Sequence, residues 1–221
     1  MTTSTIENYL KCILLEEQRG GNALVSMGQI ASALNVASGT VTAMVKTLAE
    51  GGRVSYEPYS GVRLTDSGRR LATRVLRRHR LIELFLVEIM KMDWAEVHDE
   101  AERLEHAVSD RLIERMDEML GRPAVDPHGD PIPTAQGVVE ATDLPSLLSC
   151  PLGAAQRVAR VCDQRTEFLR LVARQGLMPG SELEVVGRDD VAETVQLRLA
   201  AGGEVRLGFG PAAKLLVEAA H

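Results

Sequence analysis

Apolar positions in the first fifty residues fall into three helical runs. In TIENYLKCILLEEQ they are Ile6, Tyr9, Leu10, Ile13 and Leu14, a spacing that predicts one helix, stopped by Gly20-Gly21-Asn22. Ser26 is placed to cap a second helix carrying Ile30, Ala31 and Leu34, and Asn35-Val36 makes a short turn. Ser38 is placed to cap a third, which buries Val41, Met44, Val45 and Leu48 and ends at Gly51-Gly52. Two short helices across a tight turn form a helix-turn-helix pattern. Residues 53–56 and 62–65 are β-prone and flank Pro58-Tyr59-Ser60-Gly61, so a hairpin follows directly and the module is a winged helix. Its third helix leaves Ser38, Thr40, Thr42 and Lys46 off the buried stripe, where hydroxyls and an ammonium can meet bases and phosphates.

Asp66 or Ser67 then caps a long helix over roughly residues 69–90. Helical spacing continues through 98–106 and 108–120. Leu81, Leu84, Phe85, Leu86, Ile89, Leu104, Val108, Leu112, Ile113 and Met116 give more apolar surface than three helices can cover among themselves, which predicts a dimer interface. GRPAVDPHGDPIPTAQG reads as a linker with turns, and His128 within it as a turn residue. Beyond it, β-prone runs at 183–186, 194–199 and 204–207 with one helix at 167–175 predict a small, partly open β-barrel. The fold class is mainly α with small β elements. The domains are expected at 1–70, 71–140 and 141–221.

Charge sharpens this division. Residues 1–80 hold 11 basic and 6 acidic side chains, whereas residues 81–221 hold 14 and 25, for a net of −6 over the 221 residues. A basic N-terminal third on an acidic chain points to a polyanion met by that domain. Three cysteines without a CxxC pair argue for a reducing cytosol and against a disulfide framework or a thiolate zinc site. No apolar run approaches the roughly 18 residues of a membrane span.

Candidate chemistry concentrates in HDEAERLEH. His98, Glu102, Glu105 and His106 stand at i, i+4, i+7 and i+8, and His79 with Glu83 forms another i, i+4 pair upstream. Imidazole nitrogen with carboxylate oxygen, and no thiolate, suits Mn²⁺, Fe²⁺ or Zn²⁺. Catalysis finds little support: HExxH and GxSxG are absent, and no ExxH lies near these ligands.

RRHRLIE, VHDEAERLEHAVSD and DPHGDPIP, in this order of elements, resemble the diphtheria-toxin-repressor family over essentially the whole chain. The resemblance implies a winged helix, a helical dimerisation and metal-binding domain, and an SH3-like C-terminal domain. It also implies a cytoplasmic, homodimeric repressor whose grip on operator DNA depends on a divalent metal. Asn8, Glu102, Glu105 and His106 match the family's main site; His79, Glu83 and His98 match its second, with Asp163 the candidate contribution from the C-terminal domain. Glu102 follows the manganese-responsive pattern, where the iron-responsive branch carries Cys. Asn8 follows neither the Asp of the first branch nor the Met of the second. Lys11 replaces a further carboxylate of the binuclear manganese arrangement, and Cys12 reads as a small core residue. The cofactor implied is Mn²⁺, with Fe²⁺ the alternative and Zn²⁺ or Co²⁺ able to substitute in vitro. The alternatives in function are an iron-responsive repressor and a metal-independent winged-helix regulator.

Overall fold

The computed structural model describes residues 3–21, 23–139 and 142–220. Asn22 of the expected helix stop and the expected border at 140/141 lie outside them. The chain forms two units, one of residues 1–79, 104–109 and 133–138, the other of 80–103, 110–132 and 139–221.

The first unit is built on α1 (Ser4–Arg19), α2 (Met27–Leu34) and α3 (Ser38–Glu50), with the hairpin β1 (Val54–Glu57) and β2 (Gly61–Leu64). The Thr3 hydroxyl caps α1 by accepting the Ile6 N–H. Ser26 and Gln29 form a reciprocal capping box on α2, a device worth about 1 kcal/mol. Asn35, at φ 51°, takes the left-handed turn that separates α2 from α3. The N-cap of α3 is Ala37 rather than Ser38: its carbonyl accepts the N–H groups of both Thr40 and Val41, and Ser38 is already helical. Leu10, Ile13, Ile30, Val41, Val45, Leu48 and Val62 make the core. Beneath the wing, Glu17 is buried, accepts the Leu64 N–H at 2.7 Å and pairs with Arg69, so α1 also fixes where β2 enters.

The long helix α4 (Asp66–Glu88) begins three residues earlier than the spacing predicts. Its cap is Thr65, whose hydroxyl accepts the Gly68 N–H at 3.1 Å and donates to the Gly52 carbonyl at 2.8 Å. A Cβ at Gly68 would stand 1.9 Å from the Arg53 carbonyl oxygen, so helix and wing meet closely there because this residue has no side chain.

Further on, α5 (Val97–Leu104) ends before the expected stripe does, and α6 (Asp110–Met119) starts anew. The Ala107 and Val108 N–H groups both turn back to the Leu104 carbonyl, which lifts Glu105 and His106 off the helix. The C-terminal sheet has five antiparallel strands, β3 (Ala155–Val161), β4 (Glu182–Asp189), β5 (Thr194–Leu199), β6 (Glu204–Gly208) and β7 (Leu215–Ala219). They run in the order β6-β5-β4-β3-β7, with register shifts at Val158/Arg160 and Val185/Gly187. The sheet is small and open rather than a closed barrel, as an SH3-like fold allows. Helices α7 (Thr166–Arg174) and α8 (Phe209–Ala212) accompany it, with Leu147, Val158, Leu169, Val185, Leu197 and Val217 in the core. Among the described residues no helix is long and apolar enough to cross a membrane.

Candidate metal centres and nucleic-acid interface

One turn of α1 presents Glu7, Asn8 and Lys11, and the turn after α5 presents Glu105 and His106. Glu105 is wholly buried. The Lys11 ammonium donates to its two oxygens at 2.7 and 2.8 Å, and His79 Nδ1 donates to Oε2 at 2.6 Å. His106 donates Nδ1–H to Glu7 at 2.6 Å, which leaves Nε2 as the lone-pair nitrogen. That Nε2 makes no hydrogen bond and lies 3.3 Å from Glu105 Oε1. With Nε2 unprotonated, this nitrogen and the Glu105 oxygen are a pair of atoms that could both ligate one ion. Asn8 Oδ1 is likewise buried with no hydrogen-bond partner. Bare buried acceptors are costly unless a cation or a donor meets them, so these atoms fit a metal. His79 thus also reaches Glu105 of the first set, while the donor atoms of His79, Glu83 and His98, the expected second set, lie within 4.8 Å of one another.

A second cluster forms in the other unit. Donor atoms of Glu83, Asp126 and His128 all lie within 4.8 Å of one another, and all three residues are buried. His98 donates Nδ1–H to Glu83 at 3.1 Å. Asp126 Oδ1 accepts the backbone N–H groups of His128 at 2.8 Å and Asp130 at 3.0 Å, while its Oδ2 makes no hydrogen bond and faces Arg80 Nε at 3.6 Å. Burial, then the carboxylates of Asp130 and Glu83, push the Asp126 carboxyl well above its ordinary range; burial pulls the His128 imidazolium down. His128 Nε2 donates to the Trp94 carbonyl, and Nδ1 stands 3.9 Å from Glu83 Oε2 with no hydrogen bond of its own. Gly129, at φ 86°, lets this turn lie against β3, since a Cβ there would meet the Ala159 carbonyl oxygen at 1.9 Å.

Three of these residues are ones that sequence reasoning passed over. Asp126 and His128 sit in a stretch read as linker, although carboxylate and imidazole two positions apart are both ligand types for a divalent ion. Glu7 was hidden as one more acidic residue in a first helical turn. The Asp163 carboxylate, the expected contribution of the C-terminal domain, accepts hydrogen bonds from Arg165 at 2.7 Å and Lys214 at 2.7 Å, which hold it well below the usual carboxylate range. Glu102 lies 3.8 Å from His98 Nε2, one turn along α5. Cys12 is a core residue whose thiol burial pushes up to about 12.

On α3, Ser38, Thr40 and Lys46 are exposed and Thr42 is half-buried. Thr42 Oγ1 donates to the Ser38 carbonyl at 3.0 Å and Thr47 Oγ1 to the Ala43 carbonyl at 3.2 Å. At the wing tip Tyr59 is fully exposed, at φ 68°.

Comparison with known proteins follows the same division of the chain. Residues 1–62 match the family described as iron dependent repressor, N-terminal DNA binding domain, and residues 65–134 its metal binding and dimerisation domain. Residues 146–219 match the FeoA domain. The iron-dependent repressor IdeR of Mycobacterium tuberculosis is 33% identical over 196 residues, 82% of this chain and 83% of that protein.

The chain belongs to the diphtheria-toxin-repressor family.

Members are metal-dependent, DNA-binding transcriptional repressors, and this chain is one; it is not an enzyme. Among solved structures, a manganese-dependent transcriptional repressor in complex with manganese superposes with a TM-score of 0.88 at 40% identity, covering 97% of this chain and 99% of that one. ScaR with bound Cd²⁺ gives 0.80 at 33% identity, covering 97% and 99%. For this repressor, Glu83, His98, Glu105, His106, Asp126 and His128 fall within the region matched to the metal-binding and dimerisation domain, whereas Glu7, Asn8 and Lys11 fall within the region matched to the DNA-binding domain.

Proposed function

We propose that this repressor is manganese-responsive and binds operator DNA as a homodimer. The observation that carries the metal reading is the pair of bare acceptors, Asn8 Oδ1 and His106 Nε2, beside the buried Glu105 carboxylate. Asn8, Glu105 and His106, with Glu102, would hold the regulatory cation. Glu83, Asp126 and His128, with His98, would hold a second. The ion supplies concentrated positive charge that these acceptors otherwise lack. Every donor is oxygen or imidazole nitrogen, and the nearby thiol of Cys12 lies in the core, so the set favours a harder ion than thiolate sites select.

This chain's residues then transmit the event. Asn8 lies on α1, which packs against α2 in the core that also seats α3. Fixing α1 against the Glu105–His106 turn restricts the orientations of the recognition helix, and operator DNA selects among those that remain. A coupling of ~1–3 kcal/mol would change DNA affinity about 5–150-fold. An iron-responsive repressor is the second reading, favoured by relatives such as IdeR that are described as iron-dependent.

The test is operator binding titrated with Mn²⁺, Fe²⁺ and Zn²⁺ under anaerobic conditions. Manganese should restore affinity lost on chelation; equal affinity of stripped and loaded protein would overturn the metal reading. Activation by Fe²⁺ far better than by Mn²⁺ at matched free concentration would instead favour the iron reading.

A further inference from the structure

We infer that Lys11 is a tethered cation that occupies the Glu105 carboxylate until a divalent ion displaces it, and so sets the metal concentration at which the repressor switches on. This rests on Glu105 and His106 being regulatory ligands. The Lys11 ammonium straddles the carboxylate, 2.7 Å from one oxygen and 2.8 Å from the other, as a chelated ion would. Both side chains are buried, at 7% and 0% exposure, so solvent screens their attraction little. Each carboxylate oxygen offers about two lone-pair directions. On Oε2 both are used, by Lys11 and by His79 at 2.6 Å. On Oε1 Lys11 uses one, and the other is left toward His106 Nε2 at 3.3 Å.

A divalent ion bridging His106 Nε2 and Glu105 Oε1 would therefore share that oxygen with an ammonium. Two cations on one buried oxygen repel strongly. Either the ion binds weakly or Lys11 leaves, and in both cases Lys11 subtracts from metal affinity. Without Lys11, Glu105 would be a buried carboxylate lacking its ammonium, a state that a metal relieves.

The experiment compares manganese affinity of wild type, Lys11→Met and Lys11→Arg by calorimetric titration, following the binding event that Glu105→Gln abolishes. Lys11→Met should bind manganese about tenfold or more tightly than wild type, with a lower metal-free melting temperature, while Lys11→Arg should gain nothing. A folded Lys11→Met with unchanged or weaker affinity overturns the proposal. Wild-type protein supplies a measurement that does not depend on a variant folding. The ¹⁵N resonance of the Lys11 ammonium, slowly exchanging in its buried pair, should shift or vanish on loading with diamagnetic Zn²⁺. A resonance unchanged at full loading overturns the proposal. If wild type binds no manganese at a Glu105-dependent site, the metal reading of this site falls and the Lys11 proposal with it.

Discussion

His128 hands its Nε2–H to the backbone carbonyl of Trp94 across 3.0 Å, and this bond fixes the tautomer of a fully buried ring. Nδ1 is thereby left as a lone pair turned toward Glu83 and Asp126, the nitrogen a cation needs. The backbone around Trp94, before α5, thus prepares a ligand in a turn more than thirty residues later.

His128→Ala should remove one bound metal and weaken affinity at this cluster by at least about 10–100-fold. Metal content after gel filtration in limiting Mn²⁺ checks the first point, and thermal shift across a titration the second. Operator binding should keep part of its metal response, because Asn8, Glu105 and His106 are untouched. Complete loss of response would place the regulatory ion in the wrong cluster.

Asp126→Asn should stabilise the metal-free protein at neutral pH. The folded pKa of Asp126 lies well above its ordinary 3.8, so the folded state holds an extra proton between the two values. Its contribution to stability is full below 3.8 and is lost as pH rises through the folded pKa. His128 works the other way: with its pKa lowered from 6.5, the neutral ring contributes above 6.5 and that contribution fades as pH falls. Melting curves from pH 5 to 8 should therefore show wild type losing more stability than Asp126→Asn as pH rises. Saturating Mn²⁺ should reverse the order, since only wild type keeps the carboxylate.

His106→Ala and Glu105→Ala should abolish metal-activated DNA binding. His79→Ala should follow them closely, because its Nδ1 holds Glu105 at 2.6 Å. His98→Ala should be milder, since its bond goes to Glu83. Operator affinity across a manganese titration gives the ranking, and full activity in His106→Ala would overturn the assignment of the regulatory ligands.

Glu102→Cys should shift activation toward Fe²⁺ or softer ions, as thiolate replaces carboxylate oxygen. The ratio of half-activating Fe²⁺ to Mn²⁺ concentrations should fall several-fold; an unchanged ratio would mean that Glu102 does not touch the ion.

The winged helix was legible because its signals are local. Ser26 and Gln29 cap α2, Asn35 turns left-handed, and the apolar spacing of α1 to α3 survives folding. The break after Leu104 was not, since helical spacing in HDEAERLEH runs on past the point where the backbone turns. Strands β3 and β7 escaped for a different reason. Gln156 is a buried polar residue in β3, flanked by the charged Arg157 and Arg160, and β7 is five residues long. Both depend on pairing across more than fifty residues. The Asp126–His128 cluster was hidden in the same way: its chemistry comes from Glu83, over forty positions upstream, and from burial that composition alone does not announce.

Thr42 and Thr47 both turn their hydroxyl hydrogens back into α3, and this would change the alphabet available to α3 as the proposed recognition helix. With those donors engaged, each threonine would offer a methyl group and oxygen lone pairs if α3 enters a major groove as proposed. The apolar feature available there is the thymine 5-methyl. Discrimination at these positions would then be a matter of shape and dehydration, so Thr42→Val should be tolerated better than Thr42→Ser. Operator DNA with uracil in place of thymine at the contacted steps should bind more weakly, although every Watson–Crick pair is intact.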